Sequence, residues 1–396
     1  MRHLWCLLSF VLACAGPCLA EAAAADGAVR VGLTWAARAA ACEITSEAPF
    51  ALHDGRGRPV AEFPAGAVLR IAAEGGRLEA ACRRPEGRGR AEAYVLSSTA
   101  PLRISAEGRG ERTYRGRLAF SAAAEGLRVV NEVPLEDYLR GVLPAEVPPT
   151  FAPEALRAQA IVARTYAVAT AGRHRAEGYD LCDTWHCQVY RGAGAEDPRL
   201  SAAADETAGL IATFEGEPIQ AVYHSACGGR TAANETAWPG GSPLPYLRGV
   251  SDCEGESPWC AEAPGAAWTR RLSHERLAQA LARFGVVAPI TALMPGDSEE
   301  AGRPREYLVQ CAAGERLIAA ADMRAALNGG PAGDAAPSAD FEVTLEEDAV
   351  VLHGRGAGHG VGLCQWGANA RARAGWTAEQ IIAHYYSGVT IEPLAR

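Results

Sequence analysis

No lysine occurs anywhere in the 396 residues; all 38 basic residues are arginine. That excludes Schiff-base chemistry, a Walker-type phosphate loop and a lysine general base together. Long apolar runs are nearly absent too. One stands at Leu4 to Ala13, and no later segment is apolar enough to span a bilayer. Positive charge is in deficit: the net charge of −9 disfavours nucleic acid, whose phosphates demand basic patches. Aromatic residues make up 7% of the chain while alanine fills much of its hydrophobic half, so the expected cores are tightly packed rather than aromatic-rich. Two catalytic signatures are missing as well. His224 and Ser225 lack a Gly-x-Ser-x-Gly elbow, and Gly356, Gly358 and Val361 miss the dinucleotide-binding offsets.

What is present begins with an export signal over residues 1–20. Arg2 and His3 precede the short apolar run, and Cys18-Leu19-Ala20 supplies an approximate small-residue cleavage site. Val11-Leu12-Ala13-Cys14 also resembles a lipobox, so an uncleaved or lipidated N-terminus is the one route to a membrane. The chain is therefore expected outside the cytoplasm, in the periplasm or at the cell surface. Nine cysteines follow the signal: Cys42, Cys82, Cys182, Cys187, Cys227, Cys253, Cys260, Cys311 and Cys364. Exported cysteines pair or bind metal, and an odd number leaves at least one outside any disulfide. Cys42 with Cys82, and Cys253 with Cys260, are the expected disulfides.

The pattern along the chain predicts an α+β protein. An Ala-rich linker covers residues 21–29, and short alternating strands between Gly, Asp and Arg turns make a small β module over 30–105. A mixed helix/strand core follows over 106–264 and resumes over 341–396, with an α/β insertion at 265–340. Within the core, Pro134 opens a short helix that Pro144 is expected to stop, and Pro153 opens a longer one. Glu146 falls between them, beside Val147-Pro148-Pro149. A hairpin is expected around Glu215-Gly216. Thr377 and Gln380 stand at capping-box spacing.

Three segments carry the chemistry. The first runs from Val133 through Tyr138-Leu139-Arg140-Gly141 and Pro144-Ala145-Glu146-Val147-Pro148 to Gln159 and Arg164-Thr165-Tyr166. The second is Asp180-Leu181-Cys182-Asp183-Thr184-Trp185-His186-Cys187, with Tyr223-His224-Ser225-Ala226-Cys227-Gly228-Gly229 downstream. The third is Gly356-Ala357-Gly358-His359-Gly360-Val361-Gly362-Leu363-Cys364-Gln365-Trp366-Gly367. In this order they closely resemble the stage II sporulation protein D/amidase-enhancer (SpoIID/LytB) family, over roughly residues 110–260 and 348–394. Val147 departs from the family where Met is common, and Cys364 where Ser is usual.

The resemblance implies a protein acting on peptidoglycan. Sporulation members are lytic transglycosylases that cut glycan strands and leave 1,6-anhydro-muramyl ends; other members are described as enhancers of a wall amidase, which would then be a partner. The family's catalytic Glu maps onto Glu146. The residue chemistry agrees, because an acid that protonates a glycosidic oxygen must keep its proton near neutral pH, and apolar surroundings favour that. Gln159, Arg164, Tyr223, His224, Ser225, His359 and Gln365 are the candidate substrate-binding residues. Two readings of Arg164 stand: it binds a sugar acetamide or lactyl carboxylate, or it ties its helix to a carboxylate. The glycines around His359 are expected to form a substrate-facing loop. His174, Cys182, His186 and Cys187 offer two imidazoles and two thiolates to a structural Zn²⁺, a region where related proteins carry zinc. The competing reading is a disulfide of Cys182 or Cys187 with Cys227.

Overall fold

The computed structural model describes residues 27–83, 86–298, 303–330 and 335–395. The export-signal and lipobox readings lie outside the described residues. The described chain forms two units: everything up to Pro134 together with Gly172–Gln188, and Leu135–Ala171 together with Val189 onward.

The first unit is built of two antiparallel-rich sheets. Strand alternation sets their faces: Leu69 and Ile71 are buried while Arg70 between them is exposed. The seven-stranded sheet runs Leu181–Cys182, Ala28–Gly32, Gly126–Pro134, Arg117–Ala123, Ala93–Ser98, Phe50–Asp54, Pro59–Phe63. The six-stranded sheet runs Gly110–Tyr114, Leu102–Ala106, Ala41–Ser46, Leu69–Glu74, Arg77–Arg83, Glu86–Ala91 and packs on the first. The β unit thus extends well past residue 105, because the strands up to Pro134 hydrogen-bond into its sheets rather than into the helical core.

It also recruits the remote segment 172–188. Leu181–Cys182 pairs in parallel with Val31–Gly32, Arg30 N–H donates to the Asp180 carboxylate, and Thr34 N–H donates to Asp183. Gly32 permits this contact, since a Cβ there would meet the Tyr179 ring at 2.6 Å.

Cys42 and Cys82 do not form the expected bridge. They sit on strands separated by Leu69–Glu74, about 10 Å apart at the ordinary interstrand spacing and beyond the roughly 7 Å that a disulfide spans.

The second unit carries helices α1 (Leu135–Glu146), α2 (Pro153–Ala169), α3 (Pro198–Glu206), α4 (Asn234–Ala237), α5 (His274–Leu281), α6 (Ala320–Asn328), α7 (Gln365–Arg373) and α8 (Ala378–Tyr385). α2 is its axis. Pro153 fills a position where no backbone N–H is needed, and from Ala155 to Ala167 every residue except Arg157 is buried. Its alanines let α1, α3, α7, α8 and the strand Leu210–Phe214 approach on all sides. The hairpin forms as expected, with Glu215 and Gly216 both left-handed (φ 53° and 83°), and α8 opens with the Thr377/Gln380 capping box.

The insertion has its own core around Leu277, Tyr307, Met323 and Leu352. Its sheet takes in Phe341–Leu345 and Val350–Arg355, so it continues past residue 340. No helix among the described residues is long and apolar enough to cross a membrane.

Candidate active site

Helix α1 places Glu146. Pro144 does not stop it, because a proline in the last turn forfeits only a single backbone bond. The ladder continues with Val147 N–H donating to Leu143 C=O at 3.1 Å. What ends the helix is the pair Pro148-Pro149, which drives the preceding Val147 out of helical conformation. Glu146 is therefore the last helical residue rather than part of a free turn. Val147, which stands where the family commonly has Met, is buried beside it.

The strand-like segment after Gln188 lies along α1. Arg191 N–H donates to Gly141 C=O at 3.0 Å, and Tyr190 packs on Tyr138 with centroids 5.0 Å apart. Gly141 is required here, since a Cβ would lie 2.5 Å from the Tyr190 ring.

This arrangement brings Val189 N–H and the Tyr223 hydroxyl to the Glu146 carboxyl, with the Arg191 charge nearby. Burial raises the Glu146 pKa above its ordinary 4.5, and the two hydrogen bonds and Arg191 offset only part of that. The C-terminal end of a helix, whose dipole disfavours a carboxylate, works in the same direction. Tyr223, expected as a substrate-binding residue, is placed here as a partner of Glu146, and Val189 and Arg191 carry no side-chain motif that would have marked them in the sequence.

The glycine cluster serves packing. Gly356, Gly358, Gly360 and Gly362 all have positive φ, and Cβ atoms at Gly358 and Gly362 would lie 2.8 Å from His224 Cβ and 2.1 Å from the Val222 carbonyl oxygen. They let Leu363–Cys364 pair in parallel with Tyr223–His224. His359 is committed on both nitrogens: Val361 N–H donates to Nδ1 at 3.1 Å, so Nε2 carries the proton and donates to Tyr223 C=O at 2.8 Å. Burial pushes its pKa down to about 4, so the ring is neutral. His359 thus positions the Tyr223 strand, while its ring stays partly exposed. His224, by contrast, is buried; it too is neutral, bonded through Nδ1 to Val361 C=O. Ser225 presents its carbonyl to Trp366 N–H.

Arg164 resolves toward the second of its two readings. It is fully buried, and all five guanidinium hydrogens are engaged. It grips the Glu136 carboxylate twice, at 2.9 and 2.6 Å, and also reaches Thr207, Leu210 C=O and Ala204 C=O. No donor remains for a sugar. Gln159 and Gln365 do come together: Gln365 Nε2 donates to Gln159 Oε1 at 3.5 Å, and the buried Gln159 Nε2 has no protein partner.

In the first unit, His174, Cys182, His186 and Cys187 converge, with all four ligand atoms within 4.8 Å of one another. The separations are 3.3 Å between the imidazole nitrogens, and 3.4, 3.6 and 3.8 Å between nitrogen and sulfur. A tetrahedron drawn with ordinary Zn–N and Zn–S bonds has edges of about 3.3 to 3.8 Å, so the four donors fit. Cys227, the alternative disulfide partner, lies instead in a buried cluster with Asp252, Cys260 and Cys364. Cys260 is 3.7 Å from Cys227, sulfur to sulfur, while Cys253 donates to Gly229 C=O, so the expected Cys253–Cys260 bridge is absent.

The chain matches the model of the stage II sporulation protein (SpoIID) family over residues 123–214, which include α1, Glu146, α2 and the His174–Cys187 segment. It is similar to stage II sporulation protein D of Bacillus subtilis (strain 168), 32% identical over 66% of this chain and 75% of that protein. It is 33% identical to an uncharacterized protein of Brachyspira hyodysenteriae, over 70% and 72% of the two chains. The amidase enhancer of Bacillus subtilis is 28% identical over 64% of this chain, which covers 40% of that longer protein.

Proposed function

Because this chain belongs to the stage II sporulation protein D family, we propose that it acts on the cell wall outside the cytoplasm, as a peptidoglycan lytic transglycosylase with Glu146 as its acid/base. The observation that carries this reading is a single half-buried carboxyl held with a raised pKa by burial, and bonded to Tyr223 and the Val189 backbone. In the protonated form the carboxyl, held by those donors, gives its proton to the glycosidic oxygen as the bond from C1 of MurNAc breaks. The carboxylate left behind faces the oxocarbenium-like C1, then takes the proton of the muramyl 6-hydroxyl as that oxygen closes on C1. One carboxyl group suffices, and the product ends in 1,6-anhydro-MurNAc.

Glu146→Gln keeps the size and hydrogen bonding of the side chain but has no proton to give. Turnover of purified glycan strands is expected to fall by roughly 10²-fold or more, with binding to strands retained. Undiminished turnover would remove Glu146 from the mechanism. It would favour the second reading, a wall-binding protein that stimulates an amidase, which the similarity to the amidase enhancer supports. The same family reading assigns a structural zinc to His174, Cys182, His186 and Cys187: four protein ligands close the coordination shell and leave no open position for chemistry.

A further inference from the structure

We propose that Cys227, Cys260, Cys364 and Asp252 form a second, thiolate-rich site for a zinc-class divalent ion in the core of the second unit. Their three sulfurs and one carboxylate oxygen lie within 4.8 Å of one another, and all four residues are buried. Cys227 Sγ is 3.7 Å from Cys260 Sγ and 3.1 Å from Asp252 Oδ2. The sulfur–sulfur distance matches the edge of about 3.8 Å in a tetrahedral zinc–thiolate site and is far from the roughly 2.05 Å of a disulfide.

Three further features favour a bound cation. Four backbone amides aim at the three sulfurs, each at 3.3 Å: Cys227 and Gly367 at Cys364, Gly228 at Cys260, and Gly229 at Cys227. Such donors stabilise thiolates and contribute little to a neutral thiol. Asp252 is held as a ligand would be. Its Oδ1 accepts from Arg371 at 2.8 and 3.2 Å and from the Tyr385 hydroxyl at 3.0 Å, which turns Oδ2 toward the sulfurs. The backbone is shaped to the same end. A Cβ at Gly367 would lie 2.3 Å from Asp252 Oδ2, and Gly228 and Gly229 adopt φ of 74° and 104° to point their amides inward.

Three thiolates and a carboxylate select zinc over calcium or magnesium, and four protein donors leave no place for substrate. The site is therefore structural. It ties together three remote stretches: the loop after Tyr223–His224, the turn at Asp252–Cys260, and the start of α7. Cys364, where the family usually has Ser, becomes explicable as a ligand.

The test is metal content, which does not depend on catalysis. Full-length protein purified without chelator is expected to carry two zinc ions per chain, one for each cluster. The Cys182→Ser/Cys187→Ser variant should keep one of them, and adding Cys260→Ser should remove it. Cobalt(II) loaded into the Cys182→Ser/Cys187→Ser protein should show thiolate-to-metal charge transfer. A metal-free Cys182→Ser/Cys187→Ser protein would overturn the proposal, whether its three remaining core sulfurs are free thiols or peptide mapping finds a Cys227–Cys260 disulfide. Should that variant not fold, wild-type metal content decides: two equivalents support the site, and one or none contradicts it.

Discussion

The Glu146 carboxyl takes its raised pKa from surroundings that no motif spells out. Its raised pKa means that the folded protein holds this proton more tightly than the unfolded chain does. Activity that needs the protonated acid should fall as pH rises through that raised value, so the alkaline limb of the rate profile lies above the ordinary glutamate range. Tyr223→Phe deletes a bond to the carboxylate and should move that limb to still higher pH; an unmoved limb would separate Tyr223 from the acid. The same shift acts on stability. The contribution of Glu146 is fully present below 4.5 and is lost as pH rises through the folded value, so Glu146→Gln should melt at or above the wild-type temperature at neutral pH, with the gap closing in acid. Arg164 behaves oppositely. Arg164→Met leaves the Glu136 carboxylate with only the Gly209 N–H bond, frees three further acceptors, and should cost about 3 kcal/mol in denaturant unfolding, the low end for a broken buried pair because Glu136 is one-third exposed.

Among the elements, those with a local signal were legible in the sequence. The Glu215-Gly216 hairpin and the Thr377 capping box follow from turn and cap chemistry within four residues. The α1 boundary was misplaced because the effect of a proline depends on its turn: Pro144 is tolerated and Pro148-Pro149 terminate. The pairing of Leu181–Cys182 with Val31–Gly32 spans about 150 residues, and a two-residue strand carries no periodicity to read. Cys42 and Cys82 looked paired from sparseness alone, whereas strand order decides distance. The glycine cluster was legible as a special backbone, but its purpose was not: a positive φ serves ligand approach and strand packing equally well. Gly362→Ala would place a methyl 2.1 Å from the Val222 carbonyl oxygen, and should destabilise the protein by more than about 1 kcal/mol; a neutral effect on the unfolding midpoint would mean that the strand pairing is not required.

At the scale of the molecule, the α+β class and the family were within reach of the sequence, while the partition of the chain was not. The β unit claims residues up to Pro134 and then Gly172–Gln188, because hydrogen-bond partners rather than composition define it. The four-ligand cluster of that second segment should matter to its own unit: zinc removal should raise amide exchange in Gly172–Gln188, and unchanged exchange would argue against a bound metal there. What the whole protein does to a glycan strand is read by mass spectrometry of purified, peptide-free strands incubated with it. Fragments ending in 1,6-anhydro-MurNAc are expected with wild type and not with Glu146→Gln. Reducing ends, or intact strands with wild-type protein, would contradict the proposed activity.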